Sequence, residues 1–320
     1  MPSIKRLILQ NKLVQRLLSS SKKLVLPGFR GVSLYDTGRF FFRNMGNISL
    51  NERCAAVTYS FLTAFPPTLL FLFTLIPYLP LQNVQTTILT TLKLMIPNKQ
   101  TYDSVSTFII DFLNKEQRSL LSFSVFLTLF FSSNGMMGLI RYFDKDLHVY
   151  RKRSNLQRRW AAIKLTLVLM SVVLVGIAAI IIQTETVNAL LLKVFGNLML
   201  VKISSLLFLF FIIYSAISFI FIYGPSLSHR FRFISAGAVF ATVLCILSSA
   251  VFFYLVNNFL NYNKVYGSIG TLIAFFVWIN INTRMIMLGF DLNVSILMGK
   301  IHLEEEAEED KPPLNAGSGL

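Results

Sequence analysis

The sequence predicts an all-α integral membrane protein: a bundle of six transmembrane helices with its N- and C-termini in the cytoplasm. Three observations carry this expectation. Hydrophobic residues make up 54% of the chain, Phe alone occupies 30 positions, and mean hydropathy is +0.62. Charged residues are only 14%, well below the quarter or so usual in soluble domains, and too few to cover a water-facing surface. The apolar residues also fall into six runs of about the 20 residues that cross a bilayer, at roughly 54–79, 119–141, 160–183, 203–223, 234–257 and 266–295.

Lys and Arg set the orientation. Residues 1–53, 141–159, 224–233 and the stretch after 298 hold twenty-one of them, whereas 80–118, 184–202 and 258–265 hold seven. The richer side belongs in the cytoplasm. Three parts follow: a basic N-terminal segment 1–53, a transmembrane domain 54–298, and a tail 299–320.

The segment LILQNKLVQRLLSSSKKL is amphipathic and basic, and is expected to lie along the anionic inner membrane surface. No signal peptide is expected, because the first long apolar run begins only near Cys54. Cys54 and Cys245, the two cysteines, both sit in apolar runs and read as small hydrophobes rather than a disulfide or metal pair.

The first span carries Thr58, Tyr59, Ser60, Thr63, Pro66 and Pro67. Two mid-span prolines remove backbone hydrogen bonds and are expected to bend or break the helix. Broken helices are where transporters place binding sites, so Tyr59 and Pro66 are candidates for a substrate or ion path; a plain kink explains them as well.

Between the first two spans, Val84, Ile88, Leu92, Met95 and Ile96 recur at helical spacing. After Pro97-Asn98, so do Val105, Phe108, Ile109, Phe112 and Leu113. Two short amphipathic helices are predicted there, acting as a structural cap or a gating lid.

Ser132, Ser133, Asn134, Gly135 and Gly138 interrupt the second span with small or polar residues that let helices approach closely. The span ends at Arg141, followed by the basic loop RKRSNLQRRW. Positive-inside topology explains that loop. So would an anionic head-group site at Asn134 and Arg141, since the planar guanidinium grips two phosphate oxygens at once.

In the fifth span Gly237 and Ala241 form a small-xxx-small pair, read as helix packing. The sixth run exceeds what a bilayer needs, so it should tilt, break near Gly267 and Gly270, or project into the cytoplasm. The tail EEEAEEDKPPLNAGSGL is acidic, then rich in Pro, Gly and Ser, and is expected to be disordered.

The sixth run contains Asn280, Asn282, Arg284, Asp291 and Asn293. At 100° per residue, Asn280, Arg284 and Asp291 fall at about 0°, 40° and 20°, in one narrow stripe, with Asn282 and Asn293 elsewhere. Ionisable residues in spans face a bundle interior or a water-filled cavity. The stripe reads either as part of a path or as packing. On the second reading Arg284, placed about three-quarters of the way to the cytoplasm, snorkels to the interface or pairs with an acid.

The stretches AAVTYSFLTAFPPTLLFLFTLIPY and SSNGMMGLIRYFDKDL resemble the first and second spans of the YihY/BrkB family of bacterial inner-membrane proteins. So do FRFISAGAVFATVL, which holds Gly237, YNKVYGSIGTLIAFFVWI, which holds Tyr266 and Gly267, and LGFDLN, which holds Gly289 and Asp291. The resemblance runs from about Leu26 to Met298. The family usually shows Glu where this chain has Asp291. It implies six transmembrane helices, an inner-membrane location and a link to envelope integrity or virulence, without a settled activity.

Some family members carry a ribonuclease label. Against it, His148, His229 and His302 are the only histidines and are scattered. No closely spaced His/Asp cluster is present to hold metals for phosphodiester hydrolysis, and no RNA-binding module is present. No P-loop, G-x-S-x-G or paired CxxC pattern occurs either. An enzyme, a resident metal or cofactor and a nucleic-acid partner are therefore not expected.

Two functions remain. One is a transporter or exporter of a lipid or other anionic amphiphile, not ATP-driven by itself, in which Arg284 and Arg141 hold the head group and Asp291 pairs with Arg284 or carries a coupling proton. The other is a non-transporting scaffold that contacts envelope proteins through its basic and acidic extramembrane segments. Membrane lipids, anionic ones above all, are the expected partners in the first case.

Overall fold

The computed structural model describes residues 24–25, 28–29, 31–45, 49–75, 118–144, 152–182, 198–227, 231–258 and 268–309, with isolated positions between 89 and 110. Among them are seven helices: α1 (Leu34–Met45), α2 (Ser49–Leu75), α3 (Arg118–Phe143), α4 (Asn155–Ile182), α5 (Leu198–Tyr223), α6 (Ala236–Asn258) and α7 (Ser268–Glu309). The protein is all-α, and α2 to α7 are each long and apolar enough to cross a membrane. Side chains such as Phe126, Val175, Leu206, Phe211 and Tyr254 are exposed on these helices, a surface suited to acyl chains and not to water.

Local sequence sets where helices begin. Ser33 caps α1: its hydroxyl accepts the Asp36 N–H at 3.0 Å and donates to the Asp36 carboxylate at 2.6 Å. Ser154 and Gln157 form a reciprocal capping box ahead of α4, at 3.3 and 3.0 Å. Ser235 caps α6 by accepting the Ala238 N–H at 3.3 Å.

Contacts divide the chain into two units. The first comprises Met1–Cys54 and Arg230–Leu320, the second Ala55–His229. In the first unit α6 lies against α7, and α1 against the far end of α7. A Cβ on Gly237 would collide with the Gly289 carbonyl, and one on Gly289 with the Ala241 methyl. The pair at Gly237 and Ala241 is thus a packing device, as expected. In lipid such contact gains van der Waals energy where no hydrophobic effect drives the helices together.

In the second unit, successive helices are neighbours. A Cβ on Gly135 would meet the Phe61 ring at 2.8 Å, and one on Gly138 the Val57 methyl at 3.0 Å, so α3 closes on α2 along its small residues. α3 also packs on α4, and α4 on α5, where Gly176 faces Ile212.

Several expectations need correction. Pro66 and Pro67 do not break the first span, because α2 is a continuous helix. Its neighbour supplies local polar support: Thr128 of α3 donates to the Pro67 carbonyl at 2.6 Å, and Thr68 turns back to the Ala64 carbonyl at 2.7 Å.

The sixth span does not break at Gly270 either. α7 runs for 42 residues, about 63 Å at 1.5 Å each, roughly twice the hydrocarbon thickness. The helix continues to Glu309, so the unstructured tail cannot start at 299. Glu and Lys are good helix formers, and Lys300 pairs with Glu304 one turn on at 3.0 Å.

α1 was not anticipated. The predicted amphipathic segment before residue 24, Tyr266, Gly267, and nearly all of 76–117 lie outside the described residues.

Candidate functional site

The two faces of α7 differ in how their polar groups are satisfied. One face meets α6, with every named polar group placed. Asn293, buried, accepts the Gly237 N–H at 2.8 Å and donates to Ser235 at 3.0 Å. It is thus a tertiary cap on the first turn of α6, satisfying a donor that a helix start leaves open. Higher up, Asn282 donates to the Trp278 carbonyl at 2.9 Å and accepts from Ser249 at 3.3 Å, and Ser249 accepts the Trp278 indole N–H at 3.0 Å. Both asparagines stand off the Asn280–Arg284–Asp291 stripe because they serve α6.

The opposite face carries the stripe. Arg284 Nε donates to Asn280 Oδ1 at 3.0 Å. The two terminal guanidinium nitrogens make no hydrogen bond or ion pair among the described residues. One turn on, Met287 is fully buried and its sulfur accepts from the Cys54 thiol, 3.1 Å away. Asp291 is 1% exposed, and its carbonyl accepts from Ser295 at 2.7 Å. Cys54 has both Arg284 and Asp291 among its charged neighbours, so the start of α2 covers this face. Arg284 and Asp291 do not pair with each other: seven residues separate them by about 10 Å along the axis.

α6 has 23 residues, about 35 Å, one bilayer crossing. Its first turn stands beside Gly289 and Asn293, and Cys245, near its middle, stands beside Asn282. Arg284 therefore lies along α6 between its first turn and its middle.

The other candidates are dispersed. Tyr59 and Pro66 are exposed. Asn134 accepts from Arg159 at 2.5 Å, with the same guanidinium over the Phe130 ring, 5.1 Å from its centre. Arg141 is exposed.

The basic loop is mostly structural. Arg153 donates to the carbonyls of Gly224 and Pro225 at 2.8 and 3.3 Å, closing the C-terminal end of α5. Arg158 pairs with Asp144 at 3.0 Å, and Asp144 also accepts the Ser226 N–H at 3.2 Å. Arg153, Arg158 and Arg159 thus each hold a partner within the chain. Sequence reasoning could not find these pairs, since no spacing rule links Arg153 to Gly224.

Among the described residues, no three His, Cys, Asp or Glu side chains stand close enough together to hold a metal ion.

The family model described as Virulence factor BrkB matches residues 41–313. The ribonuclease-like protein YfkH of Bacillus subtilis is 29% identical over 270 residues, 82% of this chain and 93% of that protein. Two relatives described as UPF0761 membrane proteins match shorter stretches. That of Glaesserella parasuis is 29% identical over 70 residues, 22% of this chain and 25% of its own. That of Pseudoalteromonas translucida is 30% identical over 99 residues, 30% and 33% of the two chains. No solved structure matches.

Proposed function

The chain belongs to the BrkB family of multi-pass membrane proteins, and from that premise we propose that it binds, and moves across the bacterial inner membrane, a lipid or other anionic amphiphile. The observation that carries this reading is Arg284. A guanidinium within a membrane span is costly, by up to about 3 kcal/mol on insertion scales, and is retained where something pairs with it. Here Asn280 holds one edge of the fork and leaves the other edge open. That edge has the geometry for two oxygens of a phosphate or carboxylate.

Asp291, buried on the same face, supplies the coupling group on this reading, with both termini in the cytoplasm. We give the chain no nuclease step; the ribonuclease-like wording belongs to YfkH. The scaffold alternative draws its support from the projecting end of α7, where Glu304 and Glu305 are exposed. It predicts that cutting the chain after Met298 does more harm than Arg284→Ala.

The test is mass spectrometry of amphiphiles that co-purify in mild detergent with the wild type, with Arg284→Ala and with Arg158→Ala. One anionic species should be enriched in wild type and Arg158→Ala and lost from Arg284→Ala. Bulk membrane composition in all three would overturn the proposal.

A further inference from the structure

α1 is short, is not among the apolar runs, and has no role in the reading above. Its position is informative. Val32, just ahead of it, fills the space beside Gly299, and the Phe40 ring meets the His302 ring edge-on at 6.3 Å. Between these contacts the chain advances eight residues toward and along α1, but only three residues, about 4.5 Å, along α7. α1 therefore crosses α7 steeply. It does so at Gly299 to His302, near the end of the apolar stretch of α7; with α7 crossing the bilayer, α1 lies nearer to the membrane plane than to its normal.

The composition of α1 fits that plane. With Phe40 at 0°, Leu34, Gly38, Phe41 and Phe42 fall at about 100° to 200°, and Asp36 and Arg39 at about 260° to 320°. Phe40 is taken up by α7. Phe42 is 72% exposed, with Phe41 edge-on to it at 5.6 Å, and Arg39 is exposed beside them. The helix's one acid, Asp36, is tied to its cap by Ser33. Leu24, whose carbonyl accepts the Leu34 N–H at 2.9 Å, and Val25 add exposed apolar surface at the opposite, N-terminal end of α1.

We infer that α1 is an interfacial anchor: Phe42, with Phe41, enters the lipid at the surface where α7 emerges, and Arg39 sits among anionic lipid phosphates. An aromatic edge bordered by a cation is the composition that settles at the head-group boundary. Its function is to fix the depth of α7, and with it the depth of Arg284. The inference itself does not depend on what Arg284 binds.

Cys54 and Cys245 are both buried, so a single cysteine added at an exposed site can be labelled selectively. A spin label at Phe42→Cys, in nanodiscs of phosphatidylglycerol and phosphatidylcholine, is compared with one at Glu305→Cys on the projecting end of α7. Because Phe42 is exposed, its replacement leaves the fold intact. The label at 42 should be relaxed more by oxygen, which concentrates in lipid, than by an aqueous nickel chelate, and the label at 305 the reverse. If position 42 behaves like 305, or is shielded from both relaxants by a covering protein surface, the inference is overturned.

Discussion

Arg158 and Arg284 are the same residue type in opposite situations. Arg158 stands at a helix end, its guanidinium on the Asp144 carboxylate, which in turn holds the Ser226 N–H. Arg284, within the membrane-spanning α7, has its Nε on Asn280 and its other edge without a hydrogen bond or ion pair among the described residues. The first is explained by the fold alone: remove it and a largely buried acid loses its cation. The second has no such explanation. A cation within a membrane-spanning helix is costly, and Asn280 is its one hydrogen-bond partner among the described residues; the proposal above takes the other edge as the place for a ligand. A count of basic residues treats the two alike; only their partners separate them.

The sharpest way to break the comparison is to disturb the packing that fixes the depth of Arg284. Gly289→Ala drives a methyl against Ala241 and the Gly237 carbonyl and should cost about 3 kcal/mol, the upper end for overpacking. Gly38→Ala, where nothing lies within 4 Å, should cost almost nothing. The yield of monodisperse protein in detergent reports both.

Next, Arg158→Ala should destabilise by about 1–3 kcal/mol, since Asp144 is left with only the Ser226 N–H. Arg284→Ala should leave the melting temperature unchanged or raised. Equal losses in a thermal melt would mean that Arg284 is also structural. A similar cost, about 1–2 kcal/mol, is expected for Asn293→Ala, which opens the cap on Gly237 and should speed hydrogen exchange in the first turn of α6. The smallest effect belongs to Asn280→Ala. Stability should move by less than about 0.5 kcal/mol, while amphiphile affinity falls severalfold because the guanidinium is no longer held.

Much of the architecture was legible from composition, because a bilayer imposes its length on every span. The six runs became α2 to α7 within a few residues, except that α7 continues fourteen residues beyond the sixth run, and small residues of the second and fifth spans lie at close helix contacts. What was lost followed from context. α1 has too few apolar residues to register as a span, and its amphipathic pattern covers only 12 residues. Pro66-Pro67 read as a bend or break because sequence shows the lost N–H groups, yet α2 continues through them. The stripe on α7 was visible from the 100° turn alone. The identity of what faced it, Cys54 and not an acid for Arg284, required knowing which helix end lies there.

The central claim is that Arg284 is held open for an anionic ligand. Its most direct test is a thermal melt of detergent-purified protein titrated with phosphatidylglycerol or with phosphatidylcholine, in wild type and Arg284→Gln. Ligand that binds only the folded protein raises stability by about 2.7 kcal/mol at a hundredfold excess over Kd. The account predicts a saturable rise of several degrees for wild type with the anionic lipid alone, and none for Arg284→Gln. An equal rise in both proteins, or in neither, would contradict it.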